Sequence, residues 1–458
     1  MRRRVVKVLL IIVFCLVSVG VFTACNSNNS SGTLKHIHNW VMRYNDNEHW
    51  LECTDCPSTK DAEEHIIEIS GECSLCKASI ASPSRIDYEI LDGIAKVVHF
   101  GGRATHVRIA PTYKGIPVTE IGMQAFEGSE LKSIKIPDSV TTIGEYAFSG
   151  CRRLTDIEIS DSVTRVGHGA FSDCRSLQFN HYENMNYLGN SEKPYSVLIG
   201  PADREDSEFT IHPNIKAIAG GAFKDWFNLT EITIPDGITC IEKWTFVGCQ
   251  NLKAVKIPDS VTSIEEEAFF GCRALTNIEI PHGVTSIGDR AFSNCIRLAK
   301  VKLPDSKLRI GNQAFANNSL ATIEIPDSVI SVGSHAFDGG ALQFNHYENM
   351  QYLGNSENPY LVLIGGEDGQ NSEFIIHPDV KIIAGAAFSI RKNLTRIVIP
   401  NGVTCIGDGA FRYCSSLTTI IFEGTSEQWN VILKGEKWNH EVPATEVFCC
   451  GDETTVRI

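Results

Sequence analysis

The chain has 458 residues, 43% of them hydrophobic, and a formal net charge of −14 at pH 7. This hydrophobic content is sufficient for a large buried core, and the length would normally correspond to several domains. The acidic balance, with no basic stripe after the N-terminus, excludes a protein that binds nucleic acid through clustered lysine and arginine side chains.

The beginning of the chain has the organisation of an export signal. Three arginines at positions 2–4 precede an apolar run over residues 9–22, which is short for a membrane span and leads into polar sequence. The small residues before Cys25 resemble a bacterial lipoprotein signal. We therefore expect a signal peptide over residues 1–24, a lipid anchor on Cys25 that holds the protein outside the cell membrane, and a flexible tether over 25–34. An ordinary secretory peptide cut nearby, which would leave Cys25 without a role, is the alternative.

A module rich in cysteine and histidine follows over residues 35–80. Cys53, Cys56, Cys73 and Cys76 form two C-x2-C pairs separated by sixteen residues. This spacing is typical of a zinc ribbon, in which two knuckles share one tetrahedral ion, and it predicts one structural zinc. Because four cysteines fill the coordination of zinc, no open catalytic position is expected. Export leaves disulfides or free thiols as alternatives.

An internal repeat governs the larger part of the chain. The dipeptide Ala-Phe, once Thr-Phe, recurs in steps of 22 or 23 residues, with two longer steps of 52 and 51 residues. In one unit, Leu275, Ile278 and Ile280 alternate with the period of a short strand, and Pro281 ends it by removing a backbone donor. One unit cannot enclose a core by itself, so neighbouring units are expected to stack. The pattern predicts a mainly-β repeat solenoid of short parallel strands, turns and short helical segments over residues 85–422.

Fourteen strands are expected, one in each unit. Their predicted centres are Arg108, Lys135, Glu158, Gln178, Thr210, Thr233, Lys256, Glu279, Lys302, Glu324, Gln343, Ile375, Val398 and Ile421. The strings Ile136 to Gly144 and Ile257 to Ile264, together with the Ala-Phe-x-x-Cys joints, resemble the BspA-like leucine-rich repeats of bacterial surface proteins. The resemblance covers about three quarters of the chain. It implies attachment to host or matrix proteins and to other bacteria.

Most of the remaining cysteines recur at one position of the repeat. Because a small apolar thiol fits a tight buried corner, we expect buried free thiols there. A metal or disulfide ladder is the alternative. These cysteines are Cys151, Cys174, Cys249, Cys272, Cys295 and Cys414.

The two long steps of the repeat are copies of each other, offset by 165 residues. Each predicts a β-hairpin protruding from the solenoid, near residues 180–208 and near 345–373. Since loops on a rigid scaffold often carry binding, the hairpins are candidate contact points for a partner. A recent duplication with inert insertions is the alternative. The candidate binding residues are His181, Tyr182, Tyr187, His346, Tyr347 and Tyr352.

After the last repeat, residues 423–458 are expected to cap the solenoid and hide its apolar edge. Thr425 and Gln428 have the spacing of a capping box that opens a short helix. An aromatic ligand platform built on Trp429 and Trp438 is the alternative.

No catalytic motif stands out: the sequence has no nucleophile elbow, no zinc-protease motif, no phosphate-binding loop and no dinucleotide fingerprint. We therefore expect a non-enzymatic binding or adhesion protein that recognises extracellular or host-surface proteins. A structural spacer of the cell envelope and a metal-handling lipoprotein are the alternatives.

Overall fold

The structure is a computed structural model. It describes, besides the backbone of six short strands near the N-terminus, residues 85–102, 104–205, 209–366 and 371–458. The six strands are Ala24–Cys25, His36–Ile37, Trp40–Tyr44, Glu48–Cys53, Thr59–Glu64 and Ile66–Ile67. Residues 1–23 of the predicted signal peptide lie outside the described residues, as do the side chains of the predicted tether and zinc module.

The chain forms two compact units. The first consists of Met1–Val140, Phe148–Glu158 and Phe171–Gln178. The second consists of Thr141–Ala147, Ile159–Ala170 and Phe179–Ile458. Each unit contains coils of a mainly-β solenoid, so the predicted fold class is confirmed. Where the prediction allowed short helical segments within the coils, the described residues form turns.

The first unit combines two antiparallel strand pairs with stacked coils. Strands Arg85–Leu91 and Ile94–Gly101 pair antiparallel, as do Thr112–Tyr113 and Ile116–Ile121. His106–Arg108, Ser133–Lys135 and Asp156–Glu158 then pair in parallel and in register. Their central residues, Val107, Ile134 and Ile157, are buried, while the flanking side chains face outward, as the period-2 alternation predicts.

The same type of strand continues through the second unit, and these strands are called the first ladder. They are Glu231–Thr233, Ala254–Lys256, Asn277–Glu279, Lys300–Lys302, Glu373–Ile375, Arg396–Ile399, Thr419–Phe422 and Glu446–Cys449. The strands predicted near Gln178, Thr210, Glu324 and Gln343 are absent. Next to Glu324, the N–H of Ile325 bonds to the carbonyl of Gly354, a residue of the second long step of the repeat.

A second ladder of two-residue strands, which we did not predict, runs along another side of the second unit. Its strands are Thr142–Ile143, Arg165–Val166, Ala217–Ile218, Cys240–Ile241, Ser263–Ile264, Ser286–Ile287, Arg309–Ile310, Ser331–Val332, Ile382–Ile383, Cys405–Ile406 and Leu433–Lys434. A glycine often follows these two-residue strands. If a larger residue replaced Gly288, its Cβ atom would lie 2.5 Å from the backbone nitrogen of Glu266. Glycine is therefore required where consecutive coils approach this closely.

Stacked phenylalanines form the core of both units. In the second unit the ring centroids of Phe246 and Phe269 lie 4.9 Å apart, and those of Phe269 and Phe292 lie 5.0 Å apart, with nearly parallel planes. These distances match the spacing of hydrogen-bonded strands, because equivalent residues of successive coils are one strand apart. Across the steps of 22 or 23 residues, the phenylalanine of one repeat therefore packs directly on its counterpart in the next coil.

The repeat cysteines are free and buried, as predicted. Each thiol also donates a hydrogen bond to the carbonyl of the phenylalanine one coil earlier. Cys272 Sγ lies 3.2 Å from the Phe246 oxygen, and Cys249 Sγ lies 3.0 Å from that of Phe223. A thiol at this corner thus supplies a donor that alanine would lack.

The C-terminal segment packs onto the last coils. The predicted helix is present as Ser426–Val431, with the capping box between Thr425 and Gln428. Trp429 and Trp438 are only 1% and 8% exposed, so the alternative of an exposed aromatic platform is wrong. In the same segment, strand Thr454–Arg457 pairs antiparallel with strand Glu446–Cys449.

Candidate functional site

Two antiparallel inserts interrupt the coils of the second unit at the predicted positions. The first insert contains strands Asn180–Tyr182, Met185–Leu188 and Val197–Pro201, and the second contains Asn345–Tyr347, Met350–Leu353 and Val362–Gly366. The prediction of protruding hairpins needs correction. The third strand of each insert pairs in parallel with a second-ladder strand, Ala217–Ile218 or Ile382–Ile383, and is therefore part of the solenoid.

The first insert gathers four rings into what we call the first aromatic cluster: Tyr182, Tyr187, Tyr195 and His212. The rings of Tyr195 and His212 stack with centroids 4.6 Å apart. Tyr182 meets the His212 ring edge-on at 4.9 Å, and Tyr187 meets the Tyr195 ring edge-on at 5.5 Å. Stacked and edge-to-face pairs of this kind are the favoured arrangements of aromatic rings.

The second insert repeats this arrangement as the second aromatic cluster: Tyr347, Tyr352, Tyr360 and His377. Tyr360 and His377 stack at 3.9 Å, Tyr347 meets His377 edge-on at 4.8 Å, and Tyr352 meets Tyr360 edge-on at 5.5 Å. The duplication has therefore retained a three-dimensional arrangement as well as a string of residues.

One tyrosine of each cluster anchors it to the core. Tyr187 and Tyr352 are fully buried, and burial raises the pKa of both phenols. The backbone N–H of His212 donates to the Tyr187 hydroxyl at 3.0 Å, and that of His377 donates to the Tyr352 hydroxyl at 3.4 Å. These two tyrosines hold the histidine segments in place. The expectation that they contact a partner directly is corrected by their burial.

An asparagine shapes the loop of each insert. Asn190 Oδ1 accepts the backbone N–H groups of Glu192 and Lys193 at 3.0 and 2.9 Å, while its Nδ2 donates to the Ile159 carbonyl at 3.1 Å. Such asparagine turns are a stable local alternative to regular structure. Asn355 makes the same three kinds of contact in the second insert. The loop that leads to Tyr195 is thus fastened to the solenoid.

The histidine of each cluster accepts a backbone hydrogen bond through its ring nitrogen Nδ1. The backbone N–H of Asn214 donates to His212 Nδ1 at 3.2 Å, and that of Asp379 donates to His377 Nδ1 at 3.2 Å. Because Nδ1 accepts a hydrogen bond in both, the neutral imidazole carries its proton on Nε2.

A cavity of about 400 Å³ opens beside the first cluster, between the insert loop and the coil that follows. Tyr195 and His212 form part of its wall, with Glu192, Asn214 and Lys216 near them. Lys193 also lines the cavity, but its ammonium is paired with the Asp161 carboxylate. The cavity thus combines aromatic rings, one carboxylate, one amide and an exposed ammonium.

The predicted binding residues divide into three groups. His181 and His346 are exposed, Tyr182 and Tyr347 are half-buried in the clusters, and Tyr187 and Tyr352 are buried. The prediction missed the ring pairs that line the site. These rings are Tyr195, His212, Tyr360 and His377. Their recurrence at the offset of 165 residues was the signal that could have identified them.

Some of the outward charged side chains of the first ladder pair with one another. Lys302 Nζ lies 2.5 Å from Glu279 Oε1, and Arg396 Nη1 lies 3.3 Å from Glu373 Oε2 in the neighbouring coil. Exposed ion pairs of this kind contribute little to stability, but they neutralise the surface. At these four residues, the first ladder offers less charge to a partner than its sequence suggests.

The predicted lipidation and metal residues cannot be placed. The backbones of Cys25 and Cys53 lie in strands, but their side chains, and the whole of Cys56, Cys73 and Cys76, lie outside the described residues. In the part of the chain that the structure describes, no helix is both long and apolar enough to cross a bilayer.

Comparison with protein families gives a match to the BspA type leucine-rich-repeat region, in six copies. The matched residues are 115–192, 208–352 and 368–431. They make up more than half of the chain. A search of curated proteins finds no match.

Several solved structures are similar to parts of the chain. A leucine-rich repeat protein from Bacteroides ovatus is 26% identical over 79% of this chain and 92% of its own, with a TM-score of 0.30. A leucine-rich cell surface protein from Faecalibacterium prausnitzii is 28% identical over 78% of this chain and 99% of its own, with a TM-score of 0.27. The pneumococcal vaccine antigen PcpA is 18% identical over 75% and 73%, with a TM-score of 0.27. Because these TM-scores are low, family membership depends on the repeat match alone.

Proposed function

We propose that this chain, which belongs to the BspA type leucine-rich-repeat family, is a non-catalytic binding protein of the cell surface that recognises extracellular or host proteins. The observation that carries the proposal is the duplicated aromatic cluster. Each copy holds half-buried tyrosine and histidine rings in one geometry, on a scaffold of stacked coils. Segments that are inserted into a rigid scaffold often carry binding.

The chemistry of the inserts suits recognition better than the first ladder does. Tyrosine supplies a large contact area with few rotatable bonds, and it is enriched at the energetic centres of interfaces. Tyr182 and Tyr347 retain exposed surface, and the exposed His181 and His346 lie beside them. On the first ladder, in contrast, four charged side chains are already paired with each other, those of Glu279, Lys302, Glu373 and Arg396.

Attachment to the cell surface is the second part of the proposal. Cys25 would carry the lipid, and the Asn- and Ser-rich residues 26–32 would separate the solenoid from the membrane. Metabolic labelling with an alkyne fatty acid should label the protein in its bacterial host, and Cys25→Ala should remove the label. Equal labelling of this variant would contradict the anchor.

One structural zinc, held by Cys53, Cys56, Cys73 and Cys76, remains a proposal from their spacing. Elemental analysis of the purified chain should find one zinc ion per chain, and Cys56→Ser should release it. A chain without zinc, in which these four cysteines are joined as disulfides, would overturn this assignment.

The proposed function is tested by binding of the purified full chain to immobilised extracellular-matrix proteins: fibronectin, laminin, collagen and fibrinogen. The quadruple variant His181→Ala, Tyr182→Ala, His346→Ala and Tyr347→Ala removes exposed rings and leaves the buried Tyr187 and Tyr352 in place. We expect at least about tenfold weaker binding, since each truncated hot-spot ring contributes more than about 1 kcal/mol.

Phe227→Ala is the matched control, because Phe227 is an aromatic residue of the second unit that is 51% exposed outside the clusters. It should bind like the natural chain. Equal loss in both variants, or no binding to any matrix protein, would contradict the proposal. If the chain binds no matrix protein, the result would favour a structural spacer, a role that agrees with the ion pairs on the first ladder.

A further inference from the structure

The cavity beside the first aromatic cluster has the composition of a small-ligand site. Its volume of about 400 Å³ falls in the range of small-molecule pockets. One wall is the stacked pair of Tyr195 and His212, and both rings are half-buried. A cavity of this size accommodates a small chemical group but not the surface of a folded protein. Its ligand is therefore a small molecule, or a small group that a larger molecule carries.

The aromatic wall selects for one type of ligand surface. The face of an aromatic ring is electron-rich and attracts positively polarised hydrogens. A pyranose ring presents such hydrogens on one face, because each C–H bond is polarised by a neighbouring oxygen. Tyr195 is held in place, since His212 stacks on one of its faces and Tyr187 packs almost perpendicular to it from the core. A pyranose would therefore have to stack on the face of Tyr195 opposite His212.

The polar groups of the cavity select against a simple ion. Among the residues that line the cavity, Glu192 offers acceptors and Lys216 offers donors. A phosphate would be repelled by the carboxylate, and an ammonium group by the lysine. A hydroxyl group both donates and accepts, so a ligand with several hydroxyls satisfies both residues, together with the Asn214 amide.

The second insert shows which of these features the duplication has retained. The tyrosine–histidine pair recurs as Tyr360 and His377, and Glu192 and Lys216 recur as Glu357 and Lys381. Lys193 and Asn214, however, are replaced by Asn358 and Asp379, which makes the second site more negative. The two copies therefore share the stacked rings, one glutamate and one lysine, although their net charges differ.

From these observations we infer that the cavity at Tyr195 and His212 binds a neutral sugar, with the pyranose ring stacked on Tyr195 and its hydroxyls bonded to Glu192 and Lys216. The second site, at Tyr360 and His377, is a related copy. In this second copy, Asn358 Nδ2 donates to the Asp379 carbonyl at 3.0 Å, so this amide is already bonded. The inference is argued for the first site, whose cavity is defined. The inference deepens the proposed recognition function, on which it rests, by naming the group that is recognised.

The purified full chain should be applied to an array of neutral and charged oligosaccharides, and the affinity for the neutral sugars it selects should then be measured by calorimetry. Tyr195→Ala should weaken binding by about tenfold or more, whereas Tyr195→Phe, which retains the ring, should remain within about twofold. Lys216→Met tests the site by a second route without removing a packed ring, and it should also weaken binding. Phe227→Ala is the control.

Several results would overturn the inference. They are the absence of binding to any neutral sugar, sugar binding that is unaffected by Tyr195→Ala and by Lys216→Met, and preferential binding of a proline-rich peptide, which also docks on aromatic grooves. A matrix protein that binds equally well before and after enzymatic deglycosylation would overturn the sugar site but leave protein recognition intact. If the chain binds neutral sugars but no protein, the sugar site would stand and the proposed recognition of proteins would be overturned.

Discussion

The guanidinium of Arg165 lies 2.9 Å from the carboxylate of Glu265, a residue 100 positions further along the chain. It also bonds Glu242 at 2.8 Å. Arg165 belongs to the second-ladder strand that precedes the first insert, whereas Glu242 and Glu265 belong to two coils that follow it. This side chain therefore ties together coils that the insert separates in sequence.

Loss of this link should destabilise the second unit. Glu242 has a side chain only 8% exposed, and Arg165→Met would leave its charge without this partner. We expect the free energy of unfolding to fall by about 1–3 kcal/mol, the cost of an unsatisfied charged group. Denaturant titration measures this free energy, and Arg297→Met, a substitution of an exposed arginine, is the control. Equal unfolding midpoints for the two variants would show that the contact has no structural importance.

The close approach of consecutive coils gives a second prediction. Because a Cβ at position 288 would lie 2.5 Å from the Glu266 nitrogen, Gly288→Ala should cost about 1–3 kcal/mol of stability. Gly101→Ala is the matched control, since the nearest atom to its Cβ would be 3.5 Å away. Thermal unfolding of the two variants makes the comparison, and a change confined to the control would refute the packing described for the second ladder.

The buried thiols predict how stability depends on pH. Burial raises the pKa of Cys249 to about 12, and that of Cys405 and Cys414 to about 11, from an ordinary value of 9.0. Each raised pKa contributes stability that is present below about pH 9 and lost as the pH rises toward 11–12, because only the unfolded chain ionises in this window. At pH 10 the loss is roughly 1 kcal/mol for each thiol.

Denaturant titrations at pH 8 and pH 10, under reducing conditions, measure this loss. Cys249→Ala removes one of the thiols, so the difference between the two pH values should become smaller in this variant. A difference unchanged by the substitution would show that other groups cause the alkaline destabilisation.

The same burial predicts which cysteines react. Cys450 is exposed, whereas Cys249, Cys272 and Cys295 are buried in the coils. A maleimide should label Cys450 in the native chain within minutes and the other three only after unfolding, as read by peptide mass spectrometry. Rapid native labelling of Cys272 would contradict the stacked core.

Much of the fold was predictable because the repeat has a strong local signal. Ile278, between the outward Asn277 and Glu279, alternates with the period of a strand, and the first ladder follows from it. The second ladder carries no such signal, since a strand of two residues such as Ser286–Ile287 is too short to show a period. Its parallel pairing depends on the neighbouring coil.

The candidate site was only partly predictable for a related reason. Tyr195 and His212 are 17 residues apart, and they stack only because strand Val197–Pro201 pairs with the second ladder between them. The same pairing buries Tyr187, which a protruding hairpin would have exposed. Sequence reasoning located the inserts, but non-local pairing decides which of their rings reach the surface.

The most direct test of recognition by the inserts is footprinting of tyrosines in the full chain, with and without the matrix protein that it binds most tightly. Tyr182, Tyr195, Tyr347 and Tyr360 should become protected from radical oxidation on binding, while the half-buried Tyr146, outside both inserts, should react as before. Protection of Tyr146, with no change at the four insert tyrosines, would contradict the assignment of binding to the aromatic clusters.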